Sequence, residues 1–317
     1  MIPGVVVIGI PESGKSSFIA ALSHLLEFRE IETELTLAQM PDEAQYLFEM
    51  RSEWQGCQPF ERTKAGGFHP IVFNLEDKRD RRIDLSFPDI AGEEFEQQWS
   101  SRFWNDQYFR AIQQASGVLL FVNAKNLRKP FSLADEEKVK QAAIALLDNE
   151  DDTESTSEAD ERSESAGETI ARQLASQGSN ADEKPDSSPA VWEPRKADEQ
   201  AKLVDILQSL VDFSPNRRWR LGIVVSAWDL VRKLDSKERP DFWLKKHMPF
   251  LQQYLDSNVA SFGFDVFGVS AQGGDPESEA ERLQKYDSQS ERILVIARDY
   301  EGHDLTRIVT WVTSGES

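Results

Sequence analysis

The sequence predicts an α/β fold in which helices cover both faces of a mostly parallel central sheet with one antiparallel edge strand. The runs 118–122 and 221–225 are apolar throughout, as expected for central parallel strands that are buried on both faces. Apolar runs alternate with amphipathic stretches along the chain, the order typical of a parallel sheet. The runs 68–75 and 83–87, joined by a charged turn, predict a hairpin that supplies the antiparallel edge.

Each predicted strand is a short run rich in β-branched or aromatic residues. Six segments meet this description: 5–9, 68–75, 83–87, 118–123, 221–226 and 264–269.

The predicted helices have apolar residues three or four positions apart, as Phe18, Leu22 and Leu25 are. Their bounds are 16–28, 42–54, 94–114, 133–147, 198–211, 239–255 and 306–312.

A strongly acidic stretch interrupts this pattern. The chain has a net charge of −20, and residues 148–187 hold thirteen acidic side chains against three basic ones. Such a segment has too little apolar surface to offset the entropy lost on ordering. We therefore predict a domain in two parts, residues 1–147 and 198–317, separated by a disordered insertion over 148–197. The insertion is either a solvated loop or an acidic docking segment for a basic partner.

Composition excludes several classes of function. The net charge argues against nucleic acid and anionic membrane surfaces as partners. No apolar run approaches the roughly 20 residues of a membrane span, so we expect no direct membrane insertion. A single cysteine, Cys57, and a first strand that begins close to Met1 fit a cytoplasmic protein without a leader peptide.

The segment 5–17, V-V-V-I-G-I-P-E-S-G-K-S-S, fits the pattern G-x-x-x-x-G-K-[ST] between a strand and a helix. The glycines let successive N–H groups face one anion, Lys15 adds a mobile positive charge, and the Ser16 hydroxyl is a ligand for Mg²⁺. The alternative is a glycine-containing turn that binds nothing. The pattern predicts a three-layer P-loop NTPase fold with these phosphate-binding residues: Gly9, Glu12, Ser13, Gly14, Lys15, Ser16 and Ser17.

A second motif, Asp89-Ile-Ala-Gly92, follows the strand at 83–87. In a P-loop enzyme, a carboxylate at the end of a neighbouring strand holds the water shell of Mg²⁺, so we assign Asp89 to the metal. Gly92 lets a backbone N–H approach the γ-phosphate. The alternative is an ordinary turn that contains an aspartate.

These motifs resemble those of the translation-factor and Ras-like (TRAFAC) GTPases. The segment 89–94 resembles their D-x-A-G-[QE]-E switch, 223–230 resembles the strand ending in N-K-x-D, and 269–272 resembles their S-A-K/L loop. The resemblance implies GTP and GDP as ligands with Mg²⁺, and base contacts from Asp229, Ser270 and the Ala271 N–H. The motif spacing is wider than in a minimal Ras-like domain, and the overall organisation resembles that of bacterial stand-alone GTPase domains.

The chain departs from this family at several positions. Ser226 and Ala227 replace the Asn and Lys of N-K-x-D, and Glu93 replaces the Gln that orients the attacking water. A carboxylate can act as a base but also repels the γ-phosphate, so we expect slow hydrolysis. The resemblance also implies a threonine that closes over Mg²⁺ shortly before the second strand of the family, and Thr63 is the candidate for it. The predicted catalytic residues are thus Lys15, Thr63 and Glu93, and the predicted metal ligands are Ser16, Thr63 and Asp89.

We therefore predict a GTP-binding protein that hydrolyses GTP slowly and acts as a switch on a protein effector or regulator of unknown identity. Two alternatives remain open from the residues: an ATP-using P-loop NTPase, and a nucleotide-binding scaffold without hydrolysis. Asp229 disfavours the first alternative because adenine lacks the donor pair that a carboxylate reads in guanine.

Overall fold

The computed structural model describes residues 2–58, 60, 71–88, 99–101, 106–125 and 197–314. They belong to one unit, formed by residues 1–128 together with 193–317, and the second unit, residues 129–192, lies outside the described residues. The predicted helix 133–147 lies outside them too, as does the predicted acidic insertion except for residue 197. The predicted division of the chain at 147 and 198 stays a prediction.

Nine strands in the described residues form one sheet, which is the centre of the α/β fold. The strands are β1 (Gly4–Gly9), β2 (Leu35–Gln39), β3 (Ile71–Asp77), β4 (Arg82–Phe87), β5 (Ala115–Asn123), β6 (Trp219–Ser226), β7 (Phe262–Ser270), β8 (Leu294–Ala297) and β9 (Tyr300–Gly302). Their order across the sheet is β2-β3-β4-β1-β5-β6-β7-β8-β9.

The five central strands, β4, β1, β5, β6 and β7, are parallel, as the apolar runs predict. The predicted hairpin of β3 and β4 is present. The prediction of one antiparallel edge strand is wrong, because β3 and β8 both run against the other seven strands and four pairings are antiparallel. β2 and β9 add one further strand at each edge. These outer strands are short and only partly buried, so they lack the apolar pattern of the central ones.

The helices in the described residues follow the predicted positions with one break, and two short helices, Trp228–Leu234 and Ala280–Leu283, were not predicted. The predicted helix 239–255 is two helices, because Pro249 cannot donate a backbone hydrogen bond and restricts Met248 to a non-helical conformation. The helices are α1 (Lys15–Phe28), α2 (Ala44–Gln55), α3 (Asp106–Gln114), α4 (Glu199–Phe213), α5 (Trp228–Leu234), α6 (Pro240–His247), α7 (Pro249–Ser257), α8 (Ala280–Leu283) and α9 (Thr306–Thr313).

Two apolar cores cover the two faces of the sheet, which gives the described unit its three layers. Val5 and Val7 of β1 face the core formed with α1, α2 and α9. Val6 and Ile8 face the core formed with helices α3 to α7. Successive side chains of β1 face opposite cores because side chains in a strand alternate between its two faces. Both faces of the strand are buried, which explains why its sequence from Val5 to Ile8 contains no polar residue.

The carboxyl ends of β1, β5, β6 and β7 meet at one edge of the sheet because the four strands are parallel. Ligands of α/β sheets bind at this edge. Among the described residues, no helix combines the length and the apolar character that crossing a bilayer requires.

Candidate functional site

The turn between β1 and α1 has the backbone of an anion-binding loop. Glu12 has φ 62° and Gly14 has φ 93°, so the chain folds back on itself before α1 begins at Lys15. A Cβ on Gly14 would lie 2.7 Å from the Oγ atom of Ser226, which leaves room for glycine alone. The N-terminus of α1 therefore points at the concave face of this loop, where its dipole favours negative charge.

Lys15 spans the loop that precedes it. Its Nζ atom donates to the carbonyl oxygens of Gly9 at 3.0 Å and Ile10 at 2.9 Å, and to the Oγ atom of Ser13 at 3.2 Å. Ser13 is itself buried, with 1% of its surface exposed. These contacts hold the ammonium group over the loop, in the position from which it can contact phosphate oxygens.

The ends of β5 and β6 contact one side of the loop formed by residues 9–14, which we call the phosphate loop after its predicted role. Ser226 donates from Oγ to the carbonyl oxygen of Ser13 at 2.8 Å. Asn123 donates from Nδ2 to the carbonyl oxygen of Glu12 at 2.7 Å. The serine that stands where the resembled GTPases have asparagine thus ties the base-reading segment to the phosphate loop.

The predicted base-reading residues are in contact with each other. Ala227 has a left-handed backbone, φ 54°, which turns the chain from β6 into α5 and places Asp229 in the first turn of that helix. Ser270, the last residue of β7, donates from Oγ to the Oδ1 atom of Asp229 at 2.6 Å and accepts from the N–H of Gly273 at 3.0 Å. Ser270 therefore orients the carboxylate and also shapes the loop that follows β7.

Both groups of residues line one cavity of about 450 Å³, within the usual size for a small-molecule site. The phosphate loop forms one wall, and the ends of β6 and β7 form another. The predicted binding residues that line it are Glu12, Ser13, Gly14, Lys15, Ser16, Ser17, Asp229, Ser270 and Ala271. Gly9 contributes the carbonyl oxygen that Lys15 contacts.

Four predicted site residues lie outside the described residues: Thr63, Asp89, Gly92 and Glu93. Of the three predicted Mg²⁺ ligands, the structure therefore places Ser16 alone, at the start of α1 beside the cavity. The described residues contain no cluster of three His, Cys, Asp or Glu side chains that fits a metal ion. A hydroxyl beside a phosphate-binding loop fits Mg²⁺, which takes few protein ligands and shares its coordination with phosphate and water.

Several residues that line this cavity were not predicted from the sequence. Among them, Asn123 is the last residue of the apolar strand β5, Lys125 follows that strand, and Phe60 follows α2. The signal for this polar pair is its place at the end of an apolar parallel strand, where ligands of α/β sheets bind. Trp228, beside Asp229, is fully buried and packs edge-on against Trp243 at 6.1 Å, so it belongs to the core and not to the cavity.

Comparison with protein families matches nearly the whole chain to one family model. The family model described as Double-GTPase 1 matches residues 6–312, from within β1 to within α9. A search of curated proteins finds no match to this chain.

Several solved structures are similar to the chain at low sequence identity. One is Sup35 complexed with GDP, with 13% identity and a TM-score of 0.33, covering 97% of this chain and 43% of that one. The GTP-bound Ski7 GTPase-like domain of S. cerevisiae has 11% identity and a TM-score of 0.35, covering 100% and 51%. The SRb-GTP/SRX complex of Chaetomium thermophilum has 10% identity and a TM-score of 0.33, covering 86% and 91%. The chain spans about half the length of the first two.

Proposed function

The chain belongs to the Double-GTPase 1 family, and from that membership we propose that it binds GTP with Mg²⁺, hydrolyses it slowly and acts as a nucleotide switch. One observation carries the proposal. The loop of Lys15 and the Asp229–Ser270 pair, far apart in sequence, line the same cavity. One wall suits a polyphosphate, and the other suits a base with adjacent donors.

In this proposal the phosphate loop binds the β- and γ-phosphates. Its N–H groups and the N-terminus of α1 supply partial positive charge, and Lys15 supplies the full charge. Ser16 would hold Mg²⁺ together with Asp89 and Thr63, and the ion would neutralise charge that develops between the phosphates.

Guanine selectivity is assigned to Asp229. A carboxylate has about four lone-pair sites, so Asp229 can accept from Ser270 and still accept from N1–H and the 2-amino group of guanine. Adenine presents no such donor pair, and binding it would leave Asp229 with Ser270 but without partners from the base. GTP therefore ranks above ATP as the proposed ligand.

Lys15→Ala tests the phosphate site. We expect the variant to keep its fold and to lose GTP affinity by at least about 100-fold, because a charge-assisted contact to a triphosphate is removed. Titration calorimetry with GTP and Mg²⁺ measures the loss, and Lys246→Ala, an exposed lysine of α6, is the matched control. Near-wild-type binding by a folded Lys15→Ala protein contradicts the phosphate-site assignment, and equal competition by ATP in the wild type contradicts the guanine assignment.

Slow hydrolysis is assigned to Glu93. If its carboxylate chiefly repels the γ-phosphate, Glu93→Gln should tighten GTP binding and raise the rate by restoring a neutral amide that orients water. Single-turnover hydrolysis by wild type, Glu93→Gln and Glu93→Ala at saturating Mg²⁺ decides this. A loss of about 100-fold in both variants is instead the mark of a general base and contradicts the repulsive role.

A further inference from the structure

A buried tryptophan of α2 holds the loop that follows β7. Trp54 has none of its surface exposed, and its Nε1 atom donates to the carbonyl oxygen of Ala271 at 3.0 Å. Ala271 lines the cavity, whereas Trp54 lies behind the loop and does not. The contact joins residues 217 positions apart in the sequence.

The loop also reaches back to the same tryptophan. Gln272 donates from Nε2 to the carbonyl oxygen of Trp54 at 3.2 Å. The side chain of Trp54 thus bonds to the backbone of the loop, and a side chain of the loop bonds to the backbone of Trp54. Arg292, with 2% of its surface exposed, donates from Nη2 to that carbonyl oxygen at 2.5 Å and lies 3.7 Å above the indole ring. We call these three residues, Trp54, Gln272 and Arg292, the indole clamp.

The clamp acts on a loop that lacks regular backbone pairing of its own. β7 ends at Ser270, and Gly273 has φ 84°, so the path of residues 271–273 depends on hydrogen bonds from elsewhere. The Ser270 contacts with Asp229 and Gly273 hold the cavity side of this loop. The clamp holds its rear side, where the carbonyl oxygen of Ala271 is buried against α2.

From these contacts we infer that Trp54 is a positioning residue for the base: it holds the Ala271 loop in the shape that guanine recognition needs, without touching the nucleotide. This inference rests on the proposed function, because it assumes that Asp229 and the Ala271 loop read guanine. It predicts that loss of the indole N–H weakens contacts to the base and leaves contacts to the phosphates intact.

Trp54→Phe tests the inference because it keeps an aromatic ring and removes the donor. We expect its affinity for GDP to fall about tenfold, the scale of one buried carbonyl group left unpaired, with affinity for inorganic triphosphate unchanged. Trp219→Phe is the matched control. Trp219 is equally buried and donates to the carbonyl oxygen of Leu210 at 3.3 Å, but it lies in the core on the opposite face of the sheet.

Comparison of the two ligands separates positioning from general stability. A loosened fold weakens GDP and inorganic triphosphate alike, whereas a displaced base loop weakens GDP alone. Arg292→Lys is a second variant: it removes the guanidinium group from the face of the indole ring and keeps the charge, and Arg292, unlike Gln272, does not line the cavity. It should also lower the affinity for GDP selectively, by a few-fold.

The outcomes are distinguishable. If wild type binds GTP no more tightly than inorganic triphosphate, the base adds nothing to affinity, so the proposed function fails and this inference fails with it. If wild type prefers GTP to inorganic triphosphate, and both Trp54→Phe and Arg292→Lys keep the wild-type affinity for GDP, the inference alone is overturned. Equal losses for both ligands in the two variants also overturn it.

Discussion

At the scale of single residues, the Asp229–Ser270 pair has the most specific geometry in the site. The hydroxyl of Ser270 is a donor to the Oδ1 atom of Asp229, so one carboxylate oxygen is engaged and the other is directed elsewhere. An asparagine at this position would keep its oxygen toward Ser270, since an amide nitrogen cannot accept that hydrogen bond. Its nitrogen would then replace the carboxylate oxygen that, in the proposed function, faces the base.

Asp229→Asn should therefore change the nucleotide preference of the chain from guanine to xanthine. The amide donates where the carboxylate accepted, and xanthine presents an acceptor where guanine presents its 2-amino donor. We expect XTP to bind at least about tenfold more tightly than GTP in the variant, a ratio reversed from wild type. Competition among GTP, XTP and ATP measures the ratios, and a variant that still prefers GTP contradicts the assignment of Asp229.

At the scale of elements, the loop after α1 and the 3₁₀ helix Gln289–Arg292 are joined through one carboxylate. Glu30 accepts from the Oγ atom of Ser288 at 2.7 Å and the N–H of Ser290 at 2.9 Å, and it lies 3.3 Å from Nε2 of His24. Burial alone would raise the pKa of Glu30, but these hydrogen bonds outweigh it and hold the pKa at about 2, against an ordinary 4.5. The same helix carries Arg292 of the indole clamp.

The lowered pKa of Glu30 has a defined effect on stability. The carboxyl group of Glu30 releases its proton more readily in the folded chain than in the unfolded chain. Its contribution to the free energy of unfolding is therefore full above about pH 4.5 and is lost as the pH falls toward about 2. Glu30→Gln should cost about 1 kcal/mol of unfolding free energy at pH 7, and the difference from wild type should shrink at pH 3. Urea unfolding at both pH values measures it, with exposed Glu281→Gln as control. A difference that is constant with pH contradicts this role of Glu30.

Local elements and distant contacts differ in how far the sequence predicts them. The strand, loop and helix around Lys15 are predictable because glycine spacing and apolar period act within about twenty residues. β2 escapes prediction because only Leu35 of its five residues is buried, and β9 because it has three residues. The brace from Ser226 to Ser13 joins positions 213 apart, so only the folded sheet brings the two together.

At the scale of the whole molecule, β5 and β6 are neighbours although residues 124–218 separate them in sequence. Seven residue pairs join the strands, from Gly117 with Arg220 to Asn123 with Ser226. Ile308 and Val309 of α9, near the end of the chain, lie in the same core as Val5 and Val7 of the first strand. The parts before and after the acidic stretch thus share one sheet and the apolar cores on both of its faces.

Two separate chains, residues 1–147 and 198–317, should therefore assemble into the folded domain. The shared sheet and core supply the interface, so a covalent connection through residues 148–197 is not required. Co-expression with an affinity tag on one half, followed by size-exclusion chromatography and GTP titration, measures assembly and binding. Halves that are both soluble but do not associate contradict the prediction.

The placement of the site across this division has a genetic consequence. The proposed phosphate-binding residues all precede the acidic stretch, and the proposed base-reading residues Asp229, Ser270 and Ala271 all follow it. A lesion at Lys15 and a lesion at Asp229 therefore fall in different halves. When the chain is divided into its two halves, one pair of halves can carry the lesion at Lys15 and a second pair the lesion at Asp229. The intact half of each pair can then associate with the intact half of the other and form one complete site. The two mutants of the divided chain should therefore complement each other in trans.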